Sequence, residues 1–330
     1  MYENAFHKTD ITEKAFLVTG GAGFIGSNIA EYLLKHKAGR VVVLDNLSTG
    51  FEENIRPFVK QPGFKFIKGD ITRQADCIKA CKGIDYVFHQ AALGSVPRSI
   101  ENPLATHSAN ETGFIHMLIA ARDAQVKRVV FASSSSVYGD SPELPKQEDR
   151  IGKQLSPYAV SKRVDELYAE IFAKTYSMET IGLRYFNIFG PRQNPKGEYA
   201  AAIPLFINSL LRDQSPTING DGNQTRDFTF VENAVQANML AMFAGNISAT
   251  GSIYNIALGE RVSLNELIDI LKKLTGSNAK SFHRADRIGD VRDSLADISK
   301  ARKELGYNPT IQIAEGLRIT LDWFRSGIKP

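Results

Sequence analysis

AFLVTGGAGFIG, residues Ala15 to Gly26, is the stretch on which the fold turns. Five apolar or small residues run without alternation into glycines, and an amphipathic segment from Ser27 to Lys37 follows. A short unalternating run of this kind suits a strand buried on both faces of a parallel sheet. Between strand and helix the glycines are spaced Gly20-x-x-Gly23-x-x-Gly26. The first permits a tight turn, the second lets a pyrophosphate approach the backbone, and the third lets the helix pack on the strand. The helix N-terminus then offers N–H groups and partial positive charge to phosphates.

The same texture repeats outward. Val41 to Leu44, Phe64 to Ile67, Tyr86 to His89 and Val129 to Ala132 read as further strands. Helical patterns lie between them at Asp76 to Cys81 and Pro103 to Ala124. Strands alternating with helices imply βαβ units, hence an α/β, Rossmann-type doubly wound parallel sheet. After Pro191 the pattern changes to a loop over Arg192 to Tyr199, a helix over Ile203 to Leu211 and the turn Asn219 to Gly222. Val231 to Phe243 reads as a helix and Ser252 to Ile256 as a strand. Ser263 opens a helix to Leu274 through a capping box (SLNE). Asp297 to Leu305 and Ile313 to Phe324 complete the helices. The expected organisation is a polar extension over 1–14, a dinucleotide-binding domain over 15–190 to which 229–258 return, and a smaller mixed α/β substrate lobe over 191–228 and 259–330.

Bulk properties exclude other classes. The 330 residues are 43% hydrophobic and 23% charged, with a net charge of +4, which is ordinary for a soluble globular chain. Lysines and arginines are scattered among acids and form no aromatic-interleaved stripe, so nucleic acid is not an expected partner. No apolar run is long enough to span a membrane. Residues 1–14 lack the apolar core of a signal peptide. Cys77 and Cys81, spaced i, i+4, read as two reduced thiols on one helix, consistent with a cytoplasmic protein and no metal site.

Asp45 closes the second strand 19 residues beyond Gly26. Its carboxylate can accept hydrogen bonds from a ribose diol and would repel a 2′-phosphate, which favours NAD over NADP. Asp70 after the third strand is placed to meet the adenine edge, a position that a plain strand-end aspartate fits as well. Tyr158 and Lys162 stand one helical turn apart, so both face one side of a helix. The ammonium stabilises a phenolate and makes it a usable base. In the run Ser133 to Ser136, strand alternation would put Ser134 and Ser136 on one face, toward the crevice at the carboxyl ends of the strands, and a strand-terminal polar turn fits the four serines as well.

Gly20-x-x-Gly23-x-x-Gly26, Ser134, Tyr158 and Lys162 together resemble the extended short-chain dehydrogenase/reductase superfamily, from about Ala15 to Trp323. Within it, the glycine stretch, Asp45 to Ser48, Ser136 to Gly139, Arg184 to Asn187 and Arg226 to Phe228 resemble the nucleotide-sugar 4-epimerases, and the subgroup acting on UDP-N-acetylglucosamine in particular. The resemblance implies tightly held NAD and a transient oxidation at the sugar C4, with Tyr158 as base, Ser134 hydrogen-bonded to O4 and Lys162 on the nicotinamide ribose. It implies cofactor contacts at Gly20, Gly23, Phe24, Ile25, Asp45, Asn46, Ser48, Asp70, Ile71, Ala91, Ala92, Asn110, Tyr158, Lys162 and Tyr185. It also implies a homodimer in which the helices near Pro103 to Ala124 and Tyr158 to Lys174 form a four-helix bundle.

Related enzymes on this scaffold differ at two positions. Dehydratases carry an Asp-Glu pair where this chain has Ser135 and Ser136, and UDP-glucuronate decarboxylases carry glutamate at the second. Serine does not titrate near neutrality and cannot do that work. Where epimerases restricted to plain hexoses have a bulky tyrosine, this chain has Ser294, which leaves room for an N-acetyl group. Gly94, Ser134, Ser136, Gln193, Ala201 and Ser294 are expected around the sugar, and Asn187, Arg226, Arg287 and Asp290 around the diphosphate and uridine. The expected reaction is C4 epimerisation of a UDP-N-acetylhexosamine. UDP-glucose/galactose or a UDP-uronate are the nearest alternatives; a dehydratase, a decarboxylase and a non-catalytic NAD sensor stand further off.

Overall fold

The computed structural model describes residues 1–195, 201–245, 251–285 and 292–327. Six strands alternate with helices in its first half: β1 (Ala15–Thr19), β2 (Arg40–Asp45), β3 (Phe64–Lys68), β4 (Tyr86–His89), β5 (Arg128–Ser134) and β6 (Glu179–Tyr185). With a late strand, Ser252–Ile256, they form one seven-stranded sheet of order β3-β2-β1-β4-β5-β6 followed by that strand, every pairing parallel.

Alternation along each strand feeds two cores. Phe16, Val18, Val41 and Val43 join one cluster, and Leu17, Val42 and Leu44 join the other with Cys77 and Met117. Because β1 lies between β2 and β4, the strand order reverses beside it. That reversal opens a crevice at the carboxyl ends of the strands. The Phe24–Lys35 helix begins there, with Gly23 as its N-cap.

The chain returns to this layer late. The Val231–Phe243 helix packs on the Phe24–Lys35 helix, and Ser252–Ile256 extends the sheet beside β6. The smaller lobe has a separate core of Ile203, Phe206, Ile218, Leu267, Leu271 and Leu317. Short pairings, Thr217–Asn219 with Phe282–Arg284 and Thr225–Arg226 with Val262–Ser263, frame it. The expected capping box is present: Ser263 accepts from the Glu266 amide, and Glu266 accepts from the Ser263 amide.

The structure departs from the sequence reading in four places. The β6 strand was not expected, because Gly182 and Arg184 interrupt its apolar pattern; Arg184 is buried there by pairing with Glu166 at 2.8 Å. The helix expected over Pro103 to Ala124 is Pro103–His107 and Gly113–Asp123 joined by a π-helical turn, Ser108–Thr112. The strand β5 ends at Ser134 and Ser135–Tyr138 is a 3₁₀ turn, so of the two readings of the serine run the strand-terminal turn holds and strand alternation does not govern Ser136. The N-terminal segment, read as a polar extension, also sends apolar residues into the core. Tyr2 is fully buried, its hydroxyl donating to Asn28 Oδ1 at 2.7 Å, and Ile11 is buried too. Cys77 and Cys81 are free, and burial pushes both thiols up to about 12. Among the described residues no helix is long and apolar enough to cross a membrane.

Candidate active site

The glycine turn has no room for side chains. Gly20 has φ +64°, and a Cβ there would meet the Ala91 amide nitrogen at 2.7 Å. A Cβ on Gly26 would lie 2.3 Å from the Gly20 carbonyl oxygen. Backbone therefore approaches backbone where β1 enters the helix. The helix start is bare, since its first-turn amides have no intrahelical acceptor. Gly23, Phe24 and Ile25 line a crevice of about 740 Å³ that runs on past Asp45, Asp70, Ala91, Ser134 and Tyr158.

At one end, Asp45 accepts from the Ala22 amide at 2.9 Å and the Leu47 amide at 2.8 Å. Burial pushes its carboxyl up from the ordinary value against those two bonds. Asn46 donates to Asp70 Oδ2 at 2.9 Å, which joins the two strand ends. Burial raises Asp70, but the bonds from Asn46 and Thr72 outweigh it and hold the carboxyl below its usual range. Ser48, Ile71 and Ala92 also line this crevice.

At the other end stand Ser134, Tyr158, Lys162 and Tyr185. Pro157–Tyr176 is one helix, capped by Ser156 on the Ala159 amide at 3.1 Å with Pro157 in its first turn, so Tyr158 and Lys162 share a face. Lys162 Nζ donates to the Ala132 carbonyl at 2.9 Å. Tyr185 accepts from Asn238 at 2.7 Å and donates to Gln90 Oε1 at 3.2 Å, and burial pushes its phenol up to about 12. Ser133 lines the crevice as well, but its hydroxyl is committed to Glu166, to which it donates at 2.6 Å.

A second cavity of about 200 Å³ is lined by Ser136, Ser294, Asn187, Arg226, Val96 and Phe186, among others. Asn187 lines both cavities. Ser136 Oγ donates to Ser134 Oγ at 3.0 Å, so a turn brings together the hydroxyls that strand alternation was expected to align. Arg226 donates to the carbonyls of Thr225 and Arg292, both at 2.9 Å.

Not every expected residue lines these cavities. Gly94 and Gln193 line the crevice. Ala201 is exposed at the start of the Ala202–Leu210 helix and lines neither cavity. Asn110 is buried behind the crevice, where it donates to Ser161 Oγ at 3.0 Å and accepts from the Leu93 amide at 2.8 Å. It ties the π turn to the Pro157–Tyr176 helix. Arg287 and Asp290 lie outside the described residues.

The sequence reading missed Gln90 and Ala109 in the crevice and Lys146 and Asp293 in the second cavity. Their sequence contexts carry no signal, because only the fold brings them there. Asp293 lines the second cavity, apart from the crevice that Tyr158 lines. It accepts from Thr225 Oγ1 at 2.6 Å, a bond that holds it below the usual carboxylate range and keeps it from serving as an acid.

The crevice fits an NAD molecule on its own geometry. A helix start without a side-chain cap would suit the phosphates, a carboxylate with a free lone pair on each oxygen would suit the ribose, and hydroxyl and ammonium groups stand at the other end.

Comparison with known proteins agrees with this geometry. A sequence model of the NAD dependent epimerase/dehydratase family matches residues 16–257. The UDP-glucose 4-epimerase of Mycolicibacterium smegmatis is 36% identical over 313 residues, covering 94% of this chain and 98% of its own. The UDP-glucuronate 4-epimerase of Thermodesulfobacterium geofontis is 36% identical over 330 residues, covering 95% and 97%. The solved structure of UDP-N-acetylglucosamine 4-epimerase from Methanobrevibacter ruminantium, in complex with UDP-N-acetylmuramic acid, superposes with a TM-score of 0.91 at 39% identity, covering 96% of this chain and 99% of that one.

Proposed function

The chain belongs to the NAD dependent epimerase/dehydratase family, and from that premise we propose that it interconverts the C4 epimers of a UDP-N-acetylhexosamine, UDP-GlcNAc and UDP-GalNAc. It is an NAD-dependent UDP-sugar 4-epimerase. The N-acetyl preference rests on one observation: Ser294 and Ser136 border a second cavity that opens beside the reacting end of the crevice.

NAD in the crevice supplies a hydride acceptor that returns what it takes, so no external reductant is consumed. The remaining work belongs to side chains. Tyr158, as phenolate, takes the proton from the sugar O4 and gives it back after the sugar has turned. Ser134 directs that transfer. Its oxygen already accepts from the Ser136 amide at 3.2 Å and from Ser136 Oγ at 3.0 Å, so its own O–H is left to point at O4. Lys162, one helical turn from Tyr158, would place its ammonium near the phenolate and the ribose. Asn187 and Arg226 anchor the diphosphate side, since a fixed planar guanidinium suits phosphate while the hexose is left loose enough to rotate. In this proposal Arg287 and Asp290 would add to that anchor, and Gly94 and Gln193, which line the crevice, would bound the sugar.

The serines at 135 and 136 argue against elimination or decarboxylation, because neither can titrate and Asp293 is held as an anion. A second reading, a UDP-uronate, draws on Lys146, a buried cation lining the second cavity whose Nζ donates to the Ser141 carbonyl.

The working unit in this proposal is a cytoplasmic homodimer. Ile100, Leu104, Val160, Leu167 and Ile171 are exposed on the helical segments around Pro103–His107 and on Pro157–Tyr176. Pairing those helices across a two-fold would bury them in a four-helix bundle.

Incubating the purified protein with UDP-GlcNAc, UDP-glucose and UDP-glucuronate and resolving products by NMR tests the assignment. Formation of UDP-GalNAc is the expected result. Turnover confined to UDP-glucose or the uronate would overturn the N-acetyl preference.

A further inference from the structure

The cation beside Tyr158 is itself paired. Besides its bond to Ala132, Lys162 Nζ lies 3.1 Å from Asp165 Oδ2, and the two side chains are 3% and 1% exposed. Lys162 lines the crevice and Asp165 does not. The other oxygen, Asp165 Oδ1, is buried without a hydrogen-bond partner among the described residues.

The charged groups around this pair are few. Glu166 on the same helix and Glu111 on the π turn act on Asp165, and His89 on β4 acts with Lys162. Glu166 is engaged by Arg184, Arg163 and Ser133, and Glu111 by His107 at 3.0 Å. Lys162 is thus the cation that balances Asp165 among the described residues. Burial pushes the Asp165 carboxyl up to about 7, against the pull of Lys162. A buried ion pair with an orphaned oxygen is a weak source of stability. Its location next to the base gives it another use.

We propose that Asp165 is a positioning residue that sets how much of the Lys162 charge reaches Tyr158. Ionised, it takes up part of the ammonium's field and two of its three N–H bonds are committed, to Ala132 and to Asp165. One N–H is left for the crevice. Without that negative charge the same ammonium stabilises the Tyr158 phenolate more strongly. This inference rests on the reading of Tyr158 as the base and goes beyond it, since it assigns the base's strength to a residue that touches neither substrate nor cofactor.

Asp165→Asn keeps the shape and an acceptor for Lys162 while removing the charge; Asp165→Glu keeps the charge. In the NAD-loaded enzyme, the ultraviolet difference absorbance of each protein against its own Tyr158→Phe partner reads phenolate formation without turnover. The expected midpoint in Asp165→Asn falls by roughly 0.5–1 pH unit, with Asp165→Glu staying near the parent. The acid limb of the kcat profile moves the same way on whichever UDP-sugar is turned over, with KM changed less than about twofold. Coincident midpoints, or equal shifts in the Asn and Glu variants, overturn the proposal. Should Asp165→Asn fail to fold, Asp165→Ser replaces it with the same two outcomes. Failure of the epimerase reading appears differently, as no turnover of any UDP-sugar with the phenolate shift intact.

Discussion

Ser136 Oγ donates to Ser134 Oγ across 3.0 Å, and the two hydroxyls line different cavities. In the proposed reaction this bond would couple the place where hydride and proton move to the place where a substituent of the sugar is accommodated. It also fixes a direction. With Ser134 accepting twice from Ser136, its single proton is available to the reacting oxygen.

That direction matters only if Tyr158 is the base. Tyr158→Phe removes one oxygen at the crevice and leaves the glycine turn and Asp45 intact. The variant should retain NAD, measured as cofactor released on denaturation, and lose epimerisation by about 10²–10⁴-fold in kcat. Residual turnover within tenfold of the parent would mean another group moves the proton.

The second cavity gives a size test. Ser294→Tyr fills space next to Ser136 and Phe186. Competition assays with UDP-GlcNAc and UDP-glucose should show the acetylated sugar suppressed at least tenfold more than the plain one. Equal losses on both sugars would sink the size argument.

His89 gives the fold an acid limit. It is buried on β4, bonded to Thr19 Oγ1 at 2.9 Å, and burial followed by the nearby Lys162 charge pushes its ring down to about 3. Unfolded histidine binds its proton near 6.5, so the unfolded state binds more protons between about 3 and 6.5 and stability falls as pH falls through that window. His89→Gln keeps a polar partner for Thr19 without the titration. Denaturant melts at pH 7 and pH 4 should show the variant losing less stability than the parent, by on the order of 3 kcal/mol. Parallel losses would show that other groups set the limit.

The exposed apolar faces predict assembly. Ile171, 54% exposed, and Leu104, 79% exposed, would be buried in the proposed bundle. Ile171→Glu should convert a dimer to a monomer in size-exclusion chromatography with light scattering, since burying an unpaired charge costs several kcal/mol. A monomeric parent protein, or a variant of unchanged size, would remove the bundle.

Much of this was legible before any coordinates. The run Ala15 to Gly26 announced strand, turn and helix because steric limits on glycine are local. Tyr158 and Lys162 announced a shared helical face because four residues make a turn. The β6 strand was hidden because Arg184 looks like a surface residue until Glu166, 18 positions away, neutralises it in the core. Ser136 stays bonded to Ser134, but a 3₁₀ turn rather than strand alternation puts it there, and it borders the second cavity instead of the crevice.

The sequence by itself determined the alternation of the first five strands with helices, the glycine turn and the Tyr-Lys pair, each of which depends on residues within a few positions of one another, and Asp45 at the end of the next strand pointed to the nicotinamide cofactor. Tertiary structure alone decided that Asn187 borders both cavities, that Asp293 and Lys146 share the second cavity, and that Asp165 sits in the dark beside Lys162 with one oxygen unsatisfied. Burial is the physical reason. Periodicity says which residues share a face, but the dielectric and the partners that set a charge's strength come from distant segments folded over it.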